Sequence, residues 1–186
     1  MQEIDPDRHH RLSTRLKGFD YAQPGAYFVT VCTRDRECVL GRIVDSEMTL
    51  SPIGEIVRSN WGDIPARFPG IALDAFVVMP NHIHGIITIT DHRIRRGLIN
   101  QTPTQRTPTD QPCWIMMKND ALILGKIIRH FKAKTTRMIH VHESDTFHWQ
   151  RSFYEHVIRN DEELKAIRQY ILGNPANWTT DENYPM

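Results

Sequence analysis

Two histidines flanking one apolar residue, His82-Ile83-His84, carry the clearest chemical signal in this chain. On a β-strand alternate side chains share a face, so the two imidazoles point the same way and Ile83 the other. Two neutral imidazoles side by side can hold one divalent cation. Gly85 removes bulk beside them and is expected to let a phosphate backbone approach closely. The chain has ten histidines, so a chance pair on a solvated strand is the plain alternative. A third histidine at position 86 would suggest a histidine-triad nucleotide hydrolase, but Ile86 stands there.

A second pair lies in Gln169-Tyr170-Ile171-Leu172-Gly173-Asn174-Pro175, where Tyr170 and Asn174 are four apart and share a helical face. A tyrosine hydroxyl ionises near pH 10, so it attacks phosphorus poorly unless something polarises the phosphate. A cation held by the histidines can do this as a Lewis acid. Asn174 either reaches that cation through its amide oxygen or simply caps the helix before Pro175. Tyr154, two residues from His156, is the rival nucleophile.

These residues need elements to position them. Ala26–Thr33 is β-branched and aromatic and reads as a strand. Short strands are expected over Cys38–Val44 and Met48–Leu50. Ser51-Pro52 opens a helix with Ile53, Ile56, Val57 and Trp61 at helical spacing. Ile71–Met79 and His82–Thr90, separated by Pro80-Asn81, read as an antiparallel hairpin. A basic amphipathic helix is expected over Ala121–Ile139, a strand within Phe147–Ile158, and a helix over Asp161–Leu172 capped by Asn160 or Asp161. Strands with interspersed helices indicate an α+β domain with helices on an antiparallel sheet. The organisation expected is a polar arm over 1–20, one domain over 21–178 with a polar loop insertion at 91–112, and a short tail over 179–186.

Composition narrows the partners less than the motifs do. The net charge is +1, so only a local basic patch can serve nucleic acid. Lys126, Arg129, Lys132, Lys134 and Arg137 give one helix a cationic face suited to phosphates. Arg151 and Arg159 are expected to grip phosphates near the cut, and Arg34 to do so from the end of the first strand. Cys32, Cys38 and Cys113 lack metal-type spacing and read as thiols in a reducing compartment. No apolar run is long enough to span a bilayer, the N-terminus lacks a signal-peptide pattern, and the cytoplasm is expected.

Together, MPNHIHGII, WQRSFYEHVIRNDEEL and QYILGNP resemble the REP-associated tyrosine transposases of the single-tyrosine HUH superfamily, in which two histidines flank a hydrophobic residue. The resemblance runs from about Tyr27 to Asn177. It implies a ferredoxin-like α+β core, dependence on Mg²⁺ or Mn²⁺, and a tyrosine that becomes covalently joined to the 5′ side of a nick. By motif position His82 and His84 match the histidine pair, Tyr170 the nucleophile rather than Tyr154, and Asn174 the polar residue four later. Relatives that mobilise simple insertion sequences carry Gln at that last place. The implied partner is single-stranded or hairpin DNA, with no membrane and no nucleotide cofactor, acting as a monomer or homodimer. No Walker-type glycine loop is present, and strand transfer through a phosphotyrosine needs none. The insertion at 91–112 is longer than the short connection expected, and contacts that relatives make beyond Pro175 are expected to be missing. The alternatives are a non-cleaving DNA-binding protein, a replication initiator or relaxase, and a nucleotide hydrolase.

Overall fold

A computed structural model of the chain describes residues 24–90 and 123–184. The expected N-terminal arm, the 91–112 insertion, Cys113 and the start of the basic helix at Ala121 lie outside them. In chain order the elements are β1 (Gly25–Cys32), β2 (Gly41–Val44), β3 (Glu47–Leu50), α1 (Pro52–Gly62), α2 (Ile64–Arg67), β4 (Ile71–Val78), β5 (His82–Ile89), α3 (Ile123–His142), β6 (Tyr154–Ile158) and α4 (Asp161–Gly173), followed by a 3-10 segment, Pro175–Thr180.

Four strands form one antiparallel sheet in the order β4-β5-β1-β6, while β2 and β3 make a separate hairpin. Counted among the sheet's own strands this is second-third-first-fourth. With α1 between the first and second and α3 between the third and fourth, it is the ferredoxin-like arrangement that the motifs imply. Alternation along the strands sends Tyr27, Val29, Val31, Ile83 and Ile87 into the larger core, where Trp61, Ile127, Ile128 and Phe131 of α1 and α3 meet them. Fully burying each such side chain contributes about 1.5–3 kcal/mol. The opposite face carries Phe28, Ile86 and Ile158, packed against Ile171 of α4 in a smaller cluster. Helix α4 therefore covers only part of its face, and the end of the sheet bearing His82 and His84 is left for other contacts.

Local sequence explains most boundaries. Ser51 caps α1 by accepting from the Gly54 N–H at 3.1 Å. Asn160 caps α4, its side-chain oxygen accepting from Glu163 N at 2.8 Å, while Glu163 accepts from Arg159 N at 2.7 Å. The β4–β5 turn closes through Met79 N to His82 O at 2.8 Å. The strand expected within Phe147–Ile158 is Tyr154–Ile158. Ahead of it, Trp149 makes a single bridge to Thr33. The Lys132 ammonium donates to the carbonyls of Gln150 and, at 3.2 Å, Ser152 in this connecting stretch. Among the described residues no helix is long and apolar enough to cross a membrane.

Candidate active site

His82 and His84 sit on β5, on the face shared with α4, and both are buried. Their Nε2 atoms face each other at 3.0 Å. Hydrogen bonds set the tautomers. Asn81 Nδ2 donates to two carbonyls, Arg36 O at 3.0 Å and Asn183 O at 2.8 Å, which fixes Asn81 Oδ1 as the acceptor for His82 Nδ1 at 2.9 Å. His82 therefore carries its proton on Nδ1 and presents a lone pair at Nε2. His84 Nδ1 meets Thr30 Oγ1 at 2.8 Å. A hydroxyl can donate or accept, so Thr30 serves His84 with its proton on either nitrogen. Burial pushes the His82 imidazole down to about 4 against a weaker upward pull from Asp181, and burial and then His82 push His84 down to about 3. Both rings are neutral near pH 7, as ligands must be.

The third member was not visible in the sequence. Asp181, just past the 3-10 segment, joins His82 and His84 in a group whose ligand atoms all lie within 4.8 Å of one another. Burial acts to raise its carboxyl, but the Asn183 N–H, the Asn174 amide and His82 outweigh this and hold it below the usual carboxylate range. Asn183 N donates to Asp181 Oδ1 at 2.7 Å, and Asn174 Nδ2 to Oδ2 at 3.0 Å. Arg36 Nη1 to Glu182 O at 2.7 Å ties down the same segment, and Trp178 packs beside His82 with ring centroids 5.9 Å apart. The stretch after Pro175 thus closes one side of the site.

The residues fit a divalent cation. Two ligands about 2.1 Å from one octahedral ion at right angles lie roughly 3.0 Å apart, which is the spacing of the two Nε2 atoms. Outer hydrogen bonds orient both rings, and one carboxylate supplies charge. Asn174 is buried at the end of α4; its Oδ1 has no partner among the described residues, while its Nδ2 is held by Asp181.

Tyr170 reaches this group from α4. Its Oη lies 3.3 Å from His84 Nε2 and 3.5 Å from Asp181 Oδ2, and the residue is 46% exposed. Burial and then the carboxylates of Asp181 and Glu182 push the phenol up to about 12. The helix is anchored to β4 by Arg168, whose Nε and Nη2 hold the Asp74 carboxylate at 2.9 and 2.5 Å. Tyr154 faces the same side from β6, but across Thr30 of β1, two strand spacings or roughly 10 Å from His84. The structure thus brings Tyr170, not Tyr154, to the histidines.

Other expected positions divide. Gly85 does not face the phosphate side: a Cβ there would stand 2.4 Å from the Trp61 ring, so this glycine makes room for a core tryptophan. Arg129, Arg137 and Arg151 are exposed along one groove beside α3. Lys126 is half-buried on the same helix. Lys132 is turned in to backbone carbonyls, and burial lowers its ammonium to about 8. Lys134 pairs with Asp63 at 2.7 Å. Arg34 is exposed, and its N–H bonds His148 O at 2.9 Å near the histidine end of β1. Arg159 follows Ile158, which pairs with Ala26. That is four residues, roughly 13 Å, along β1 from Thr30, so it is not brought to the site.

No family model matches the chain. It is 39% identical over 176 residues to an uncharacterized protein of Haemophilus influenzae, covering 95% of this chain and 94% of that one, and the two belong to one family. A second H. influenzae protein, provisionally named a REP-associated tyrosine transposase, is 24% identical over 161 residues, or 84% of this chain and 73% of that one. Among solved structures, a REP-associated tyrosine transposase bound to a REP hairpin matches with a TM-score of 0.53 at 21% identity, covering 84% of this chain and 69% of that one. The two chains share a fold.

Proposed function

We propose that this chain, which resembles the REP-associated tyrosine transposases in sequence and in fold, is a metal-dependent single-stranded DNA endonuclease and strand transferase acting through Tyr170. The observation that carries the reading is the approach of the Tyr170 hydroxyl to within 3.3 Å of His84 Nε2, beside a His-His-Asp group able to hold a cation.

His82, His84 and Asp181 would hold Mg²⁺ or Mn²⁺, with the two imidazoles favouring Mn²⁺. Asn174 is a supporting ligand or, through its amide, the orienter of Asp181. A bound cation would supply Lewis-acid polarisation of one phosphodiester. Tyr170 Oη attacks the phosphorus, forming an O–P bond as the bond to the 3′ oxygen breaks. The phenolic proton passes to that oxygen, leaving a 3′-hydroxyl and a 5′-phosphotyrosine. Another 3′-hydroxyl reverses the step, so rejoining consumes no nucleotide. With their Nε2 lone pairs given to the cation, neither imidazole would serve as general base. Placement in line with the phosphate and the charge around it must carry the rate. The substrate proposed is single-stranded DNA beside a hairpin, the class of partner present in the matching solved structure.

Incubation with labelled single-stranded DNA and Mn²⁺ tests the reading. A denaturation-resistant protein–DNA band is expected with wild type and Tyr154→Phe and absent with Tyr170→Phe. DNA binding without any band would instead support the non-cleaving alternative.

A further inference from the structure

A groove of about 720 Å³ lies between α3 and the segment 147–153, outside the His-His-Asp site. Resting on the DNA-cleaving reading above, we propose that this groove seats an unpaired stretch of the strand that Tyr170 cuts. Its charge suits phosphates: Arg129, Arg137 and Arg151 line it, all exposed, and none of the described residues lining it is acidic. Lys132 does not compete for this role, because its ammonium is turned in to the carbonyls of Gln150 and Ser152 and holds the groove's wall in place.

Shape and aromatic content select an unpaired strand over a duplex. The α3 side includes small residues, Gly125 and Ala133, which make the surface concave, and the facing wall carries Trp149, Phe153 and His148. A duplex keeps its bases stacked inside and offers a convex backbone. An unpaired strand brings bases to aromatic walls and phosphates to flanking cations, the combination found in single-strand binding grooves. The volume falls within the roughly 300–1,000 Å³ of small-ligand sites, enough for a nucleotide or two.

The facing wall is fixed by burial and by the backbone. Trp149 is only 8% exposed, and its Nε1–H has no acceptor among the described residues. The groove's wall is also tied to the catalytic end of the sheet. Gln150 N donates to Cys32 O at 2.9 Å, and Cys32 pairs across the strands with His82. The groove's wall at Gln150 therefore stands two strand spacings, roughly 10 Å, from His82, on the α3 side of the sheet.

The test measures binding of fluorescent dT12 to the full-length protein by anisotropy across a salt series. Each phosphate contact on a single strand contributes about 0.7 to the slope of log affinity against log salt. Arg129→Ala with Arg137→Ala should lower that slope by about 1.4, which is roughly 25-fold weaker binding at 0.1 M relative to 1 M salt. Arg58→Ala, exposed on α1 and outside the groove, should bind as wild type does, and thermal melts would establish that all variants fold. A 5-iododeoxyuridine-substituted dT12 should photocrosslink to the peptide bearing Trp149 and Phe153. Unchanged affinity in the double variant, absent dT12 binding, or equal affinity for a blunt duplex of the same length would each overturn the proposal. The Tyr170-dependent adduct is scored separately on wild type, so loss of the catalytic reading and loss of the groove are told apart.

Discussion

Replacing Asp181 by Asn separates two roles that its carboxylate can play. The change is nearly isosteric. Asn183 N keeps its acceptor, and Asn174 can rotate its unpartnered Oδ1 toward the new amide, so the segment should stay folded. Asp181 is the single formal negative charge among the three residues that could hold a cation, since both imidazoles are neutral near pH 7. Loss of a group that only orients a ligand costs about 10–100-fold in metal affinity, so loss of the charged ligand itself should weaken Mn²⁺ by 100-fold or more, about 2.7 kcal/mol. On the phenol the same substitution acts the other way. Asp181 is among the groups that push Tyr170 up to about 12, so its neutralisation makes the phenolate easier to form. A ligand role therefore predicts weaker Mn²⁺ binding by calorimetry and slower adduct formation at limiting metal. A purely electrostatic role predicts unchanged metal affinity and faster adduct formation. Mn²⁺ affinity within twofold of wild type would refute the ligand assignment.

Further outcomes follow from the same geometry. Gly85→Ala should destabilise by about 1–3 kcal/mol through overpacking against Trp61, lowering the melting temperature by roughly 2–4 °C per kcal/mol, and leave DNA affinity unchanged. His82 titrates near 6.5 when unfolded and about 4 when folded, so the unfolded chain takes up its proton first. The stability present above pH 6.5 is then lost as pH falls toward 4, by about 3 kcal/mol from this one imidazole, readable as a falling urea midpoint at pH 7, 5 and 4. Mn²⁺ at 100 times its dissociation constant should stabilise the protein by about 2.7 kcal/mol at pH 7, and His82→Ala or chelator should abolish that gain.

Much of this site can be read along the chain because short periodicities govern it. Alternation on β5 pairs His82 with His84, and a four-residue helical step aligns Tyr170 with Asn174. Applied to Gly85, the same alternation puts it with Ile83 on the core face, where the structure has it, and not beside the phosphate. The rest depends on contacts between distant parts of the chain. Asp181 joins the histidines with the help of Arg36 and Asn81, which bind the carbonyls of Glu182 and Asn183, and no local pattern announces those bonds. Basic residues present the same difficulty: Arg137 and Lys134 look equivalent on a helical wheel, yet one lines a groove and the other pairs with Asp63. Arg159 lies far from the histidines because strand register, invisible in composition, places it at the opposite end of the sheet.

Mass spectrometry of the adduct is the most direct test of the central claim, that the phenol on α4 forms a covalent bond to phosphorus beside the histidine pair. Wild-type protein, incubated with single-stranded DNA and Mn²⁺ and then digested with nuclease and trypsin, should yield the Tyr170 peptide carrying a 5′-linked deoxynucleotide. The same mass addition on the Tyr154 peptide, or cleaved DNA with no modified tyrosine, would contradict it.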